Sequence, residues 1–226
     1  MSKLIVVDGI DGSGKSTQAS LLHKELYQQG RNVRIASFPN YQSKTGELIN
    51  MYLHGDFGAH PDSVNPYAAS SFYSLDRYLA FLQTWNQFYN EPDSILLASR
   101  YTTSNAIHQL SKLPREEWDS FLSWLENYEY KLLGLPKPDI VYFLDLKPEY
   151  AEELVSQRSE TTGQAIDIHE QDDEYISRCY KAGIYAAEKL GWKRIPCNDE
   201  NGILTIDEIH TQLLEEVTIF LDTKGE

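Results

Sequence analysis

Short apolar runs recur along the chain at residues 4–7, 33–36, 95–98 and 140–144, with a weaker one at 193–197. Their length and their Val, Ile and Leu content predict buried strands. Between them lie longer segments in which apolar positions repeat every three or four residues, the period of a helix face. The first covers about 14–29, with Ala19, Leu21, Leu22 and Leu26 on one side and Gly30 at its end. An aromatic-rich helix is expected over 66–90, and another over 114–133 with Phe121, Leu122, Trp124 and Leu125 as core. Segments 148–158, 174–190 and 206–221 complete the helical set. Strands alternating with helices predict an α/β fold of three layers, a parallel five-stranded sheet with helices on both faces. No repeat and no Pro/Gly/Ser-rich linker divides the sequence, so 1–226 reads as a single domain. The polar stretch SETTGQAIDIHEQDD at 159–173 reads as a surface flap, and the last few residues are expected to fray.

Charge narrows the partners. A formal net charge of -14 argues against a surface that wraps nucleic acid, yet a pocket for a small anion needs only a few placed cations. The two cysteines, Cys179 and Cys197, lack C-x-x-C spacing and read as reduced thiols. The first apolar run is too short for a signal peptide, and no stretch has the length of a membrane span. The expected location is the cytoplasm, with no membrane partner.

Candidate chemistry begins where the first strand meets the first helix. Gly9-Ile10-Asp11-Gly12-Ser13-Gly14-Lys15-Ser16-Thr17 fits G-x-x-x-x-G-K-[ST] without a mismatch. Glycines let successive N–H groups turn inward around phosphate oxygens, and the following helix offers its positive end to the same anion. Lys15 is placed to reach the outer phosphates, and the Ser16 hydroxyl to ligate the Mg²⁺ that accompanies a nucleoside triphosphate. The motif predicts a P-loop NTPase fold that binds ATP or GTP, and the absence of N-K-x-D weakens a GTP-switch reading. A second anion site is expected at SILLASRYTTSN, 94–105, because Arg100 at the end of an apolar strand is costly unless it meets an anion.

The ordered set GIDGSGKSTQ, SFPNY, SLDRYLAF, SRYTTSN, KPDIVYFLDL and DIHEQDDEY resembles the thymidylate (dTMP) kinase family over nearly the whole chain. The resemblance implies transfer of the γ-phosphoryl of ATP to dTMP, giving dTDP and ADP, with Mg²⁺. It implies that Asp11 accepts from the acceptor's 3′-hydroxyl and that Phe38 and Pro39 shape the acceptor pocket. Tyr73 would stack on the base and Arg77 would bond the thymine carbonyl. Their separation of four residues puts both on one helix side. Ser104 and Asn105 would meet the pyrimidine edge, and a helix N-cap role is their plainer alternative. Arg100 would clamp the acceptor phosphate with its planar fork. A homodimer is implied too, with Phe81, Trp85 and Phe88 weighed between an interface and the monomer's own core.

Three departures from the family pattern stand out. Ser99 precedes Arg100 where the family has Asp, so the acid that organises Mg²⁺, through water, is lost; Asp8 and Asp145 are candidates to replace it. Gly12 stands where some members carry an arginine, and residues 159–173 contain no Lys or Arg, which leaves Arg158 as the lid cation. FPNY lacks the arginine some relatives have after the proline, which shifts the load to Arg100. These departures also motivate an alternative, a nucleotide-binding relative without turnover or a kinase of another nucleotide. His169 with Glu170, Asp172 and Asp173 lacks H-E-x-x-H spacing and reads as an acidic helix start.

Overall fold

The computed structural model describes residues 2–162 and 167–223. Its main sheet is built from β1 (Lys3–Gly9), β2 (Val33–Ser37), β3 (Ile95–Ser99), β4 (Ile140–Asp145) and β5 (Lys193–Pro196). All pairings are parallel, in the order β2-β3-β1-β4-β5. The sequence-level expectation of five parallel strands therefore holds. β1 is apolar on both faces because both are covered. Ile5, Val7, Ile95 and Leu97 pack with Leu22, Leu26, Leu213 and Val217, while Leu4, Val6, Leu96 and Ala98 pack with Trp85, Phe88, Tyr101 and Leu135. The winding direction reverses at β1, whose neighbours are β3 and β4. Such a reversal opens a crevice beyond the strand C-termini.

The helices are α1 (Lys15–Gln28), α2 (Lys44–Leu53), α3 (Pro66–Ala80), α4 (Asn86–Tyr89), α5 (Thr102–His108), α6 (Trp118–Glu126), α7 (Pro148–Thr162), α8 (Asp173–Leu190) and α9 (Ile206–Asp222). The long helix expected over 66–90 is α3, a π turn at Phe81–Trp85, and α4. The one expected over 114–133 is a 3₁₀ turn, α6 and a second π turn at Asn127–Leu132. Two helices escaped the periodicity argument. The Ser43 side chain caps α2 by accepting from Gly46 N at 2.8 Å. α5 buries Thr102, Thr103 and Asn105, polar residues whose partners lie on distant elements, so no apolar stripe announced it.

The predicted flap needs correction. Residues 159–162 continue α7, residues 163–166 lie outside the described part, and Asp172 caps α8 by accepting from Tyr175 N at 2.8 Å. Trp85 and Phe88 are buried in this chain's own core, so they do not form an exposed face. The exposed apolar residues there are Leu75, Leu79 and Leu82. Cys179 and Cys197 are buried and free.

Candidate active site

The phosphate loop has the backbone its glycines permit. Gly12 and Gly14 adopt φ of 79° and 82°. A Cβ on Gly12 would stand 2.6 Å from the Ala151 carbonyl oxygen, so α7 packs directly against the loop. Gly14 starts α1 with no side-chain cap, which leaves the first helical N–H groups without an internal partner. The Ser13 hydroxyl is buried and has no partner among the described residues. Lys15 is buried, donates to the Ile10 carbonyl at 2.6 Å and lies 3.8 Å from Asp11. Burial and then the Arg100 charge push its amine down to about 8, against the opposing pull of Asp11. An orphaned hydroxyl, bare N–H groups and a buried lysine whose charged form burial disfavours together form a cradle that an anion would satisfy.

The cradle opens into a cavity of 640 Å³ at the C-terminal ends of β1, β2 and β3. Asp11, Ser16, Phe38, Pro39, Tyr73, Arg77, Ser99, Arg100, Ser104, Asn105 and Arg158 all line it. Arg100 sits in the left-handed region, φ 66°, a conformation that costs an L residue on the order of 1–2 kcal/mol. Its guanidinium bonds Asp11 through Nη2 and the His108 ring through Nη1, the latter at 3.3 Å. Burial pushes His108 down to about 4, so its ring is neutral and Nε2 accepts from Arg100. Burial alone raises the Asp11 carboxyl, but the charges of Arg100 and Lys15 outweigh it and hold it far below the usual carboxylate range. His108 carried no signal in the sequence; a histidine on an unrecognised helix looks like any other.

The other end of the cavity is aromatic and polar. Phe38 packs against Tyr101 at 5.8 Å between ring centres. Asp76, the sequence neighbour of Arg77, anchors the loop between β2 and α2, accepting from Asn40 N at 2.9 Å, Ser43 Oγ at 3.0 Å and Thr45 Oγ1 at 2.8 Å. Arg77 pairs with the fully buried Glu129, donating from Nε at 2.8 Å and also from Nη2. Glu129 accepts as well from Ser74 Oγ at 2.8 Å, Thr102 Oγ1 at 2.6 Å and Asn105 Nδ2 at 3.2 Å. Nothing in NYEYKL distinguished this acid from a solvated helix residue. Neither Ser104 nor Asn105 is an N-cap; both lie inside α5, and Ser104 donates to Asp8 at 2.7 Å.

On the lid side, Arg158 Nη2 donates to both Glu170 oxygens, at 2.9 and 2.8 Å. Asp167, His169 and Glu170 also line the cavity. The His169 ring is buried, 2.9 Å from the Tyr52 hydroxyl, and burial holds it far below its usual range. Burial first, then Asp11 and Glu170, raise Asp167 to about 7. Of the two acids considered as substitutes for the one lost at Ser99, Asp145 is committed to Arg194 and to Tyr180 at 2.9 Å. Asp8 is fully buried and accepts from Gly9 N at 2.9 Å, Thr103 Oγ1 at 2.5 Å and Ser104 Oγ. Ser16 and Ser99 both line the cavity and offer hydroxyl oxygens, the hard ligand type Mg²⁺ takes, while among the described residues no group of three or more His, Cys, Asp or Glu gathers into a metal site.

A parallel sheet wound in opposite directions from β1, with a G-x-x-x-x-G-K-[ST] loop and a second arginine-bearing strand end facing it, defines a P-loop phosphotransferase. The family model for thymidylate kinase matches residues 7–205. The thymidylate kinase of Mycobacterium tuberculosis (strain H37Rv) is 33% identical over 192 residues, 84% of this chain and 87% of the relative. That of Danio rerio is 27% identical over 213 residues, 93% of this chain and 87% of the relative. The structure of thymidylate kinase from Candida albicans superposes with a TM-score of 0.69 at 26% identity, over 97% of this chain and 92% of that one. The chain belongs to the thymidylate kinase family. Among the described residues, no helix is long and apolar enough to cross a membrane.

Proposed function

We propose that the protein transfers the γ-phosphoryl group of ATP to dTMP, giving dTDP and ADP. The observation that carries this reading is a single cavity lined by Asp11 and Ser16 of the phosphate loop, by Arg100, and by the aromatic and polar group Phe38, Tyr73, Arg77 and Asn105. ATP phosphates lie in the loop at 9–17, with Lys15 on the outer phosphates. The acceptor phosphate takes Arg100, whose fork exchanges Asp11 for a phosphate, and Asp11 is released to accept from the 3′-hydroxyl. Tyr73, Phe38 and Pro39 enclose the base. Arg77 donates to its carbonyl, and Asn105 meets the neighbouring ring N–H. Ser104, bonded to Asp8, supports the helix that presents Asn105. Phosphoryl transfer needs positioning and charge neutralisation more than a protein nucleophile, and these residues supply both.

Mg²⁺ would be held by Ser16 and, through water, by Ser99. When bound it neutralises charge on the transferring phosphates. Arg158 would leave Glu170 for the γ-phosphate when both nucleotides are bound. The chain acts as one domain and, we infer, as a homodimer through Leu75, Leu79 and Leu82, which lie exposed along α3 and its π turn. A non-catalytic role is disfavoured because the loop, Lys15 and Arg100 are all in place. The test is ADP formation from Mg-ATP across a panel of nucleoside monophosphates at several Mg²⁺ concentrations. Preference for dTMP supports the assignment; ATP binding without turnover of any acceptor refutes it.

A further inference from the structure

Glu129 has no role in the chemistry above, yet it is a fully buried carboxylate in the π turn that follows α6. Such a charge is tolerated only when paired and hydrogen-bonded on every side. Arg77, Ser74, Thr102 and Asn105 provide that shell. An ionised carboxylate only accepts hydrogen bonds, so it dictates which ends of its neighbours face it. Arg77 spends Nε and Nη2 on it; among the described residues, Nη1 has no protein acceptor and remains a donor. Asn105 gives its Nδ2 to Glu129 and to the Ser70 carbonyl at 3.3 Å, and its Oδ1 is left as an acceptor. Arg77 and Asn105 both line the cavity.

We propose that Glu129 is a positioning residue for base selection. By claiming the Nε and Nη2 donors of Arg77 and the amide N–H of Asn105, it sets the polarity of the pocket as one donor beside one acceptor. A 4-keto pyrimidine shows the complementary edge, a carbonyl beside a ring N–H. A 4-amino pyrimidine shows the reverse and leaves both protein groups facing like partners. The inference rests on the reading that Arg77 and Asn105 meet the base. A neutral amide in place of Glu129 offers its own N–H₂, which lets Asn105 turn over and releases Arg77.

The experiment compares wild type, Glu129→Gln and Glu129→Asp for kcat and KM with dTMP and dCMP, and for binding of 2-deoxyribose 5-phosphate, which has no base. In Glu129→Gln the dTMP-to-dCMP ratio of kcat/KM should fall about 10- to 100-fold, mainly through the KM for dTMP. Binding of the sugar phosphate should be unchanged, and Glu129→Asp, still acceptor-only, should keep most of the selectivity. An unchanged ratio in folded Glu129→Gln overturns the proposal, as does an equal loss towards dTMP and the sugar phosphate. A wild type that does not prefer dTMP to dCMP overturns the base-pocket reading itself. A crystal structure of the wild type with dTMP tests the point without a variant: Arg77 held on Glu129 while it bonds the base supports the proposal, and Arg77 released from Glu129 on binding refutes it.

Discussion

Asp167 offers a quantitative check on the electrostatics of the cavity. Its carboxyl is raised from 3.8 to about 7 by burial and by the charges of Asp11 and Glu170. Its Oδ1 accepts the backbone N–H of His169 at 2.8 Å and of Glu170 at 3.0 Å. Asn keeps that carbonyl acceptor, so Asp167→Asn removes the ionisation and preserves the turn. Between about pH 4 and 7 the folded protein holds a proton here that the unfolded chain has released. Wild-type stability therefore falls as pH rises through that window, and the variant escapes the fall. The interval corresponds to at most about 4 kcal/mol at 1.36 kcal/mol per pH unit, and partial solvent contact reduces it to about 2 kcal/mol. For a chain of this size that is about 4–8 °C in Tm. Thermal melts of both proteins, without nucleotide or Mg²⁺, from pH 4.5 to 8.5, read the difference directly. The variant should gain on wild type steadily up to about pH 7 and hold its advantage above. A Tm difference independent of pH, or one that shrinks as pH rises, refutes the reasoning.

Three further outcomes are expected. Arg100→Lys keeps a charge but loses the fork, and kcat/KM for dTMP should drop by about 100-fold or more; near-parental kinetics would remove Arg100 from the phosphate clamp. On the proposal that Ser99 reaches Mg²⁺ through water, Ser99→Asp supplies a charged ligand there and should lower the Mg²⁺ concentration for half-maximal activity. An unchanged or worsened Mg²⁺ titration contradicts the view of Ser99 as a deficit. Gly12→Ala meets φ 79° and the Ala151 carbonyl oxygen at 2.6 Å, so its denaturant midpoint should fall by the equivalent of about 1–3 kcal/mol, with weaker ATP binding; parental stability shows that the loop and α7 yield freely.

The apolar runs and helical periods were sufficient for the sheet and most helices, because strands buried on both faces have no polar alternation to blur them. The phosphate loop was equally legible, since its chemistry needs glycines, a lysine and a hydroxyl at fixed local spacing. Arg100 stood out because a cation at a strand end demands an anion. α5 was hidden: besides Ala106 and Ile107 it buries the polar Thr102, Thr103 and Asn105, and the groups that satisfy them, Asp8 and Glu129, lie far away in sequence.

The sequence by itself thus determined the elements and the loop whose partners are neighbours along the chain. Only the tertiary structure decided that Arg77 is committed to Glu129 rather than to Asp76, that His108 backs Arg100, that Asp145 is tied to Arg194, and that Arg158 rests on Glu170. Periodicity reports which face of an element is apolar, but the pairing of buried charges depends on which distant elements meet. That is settled by the packing of α3, α5 and the turn after α6 against the sheet, where each desolvated charge must find its counterpart.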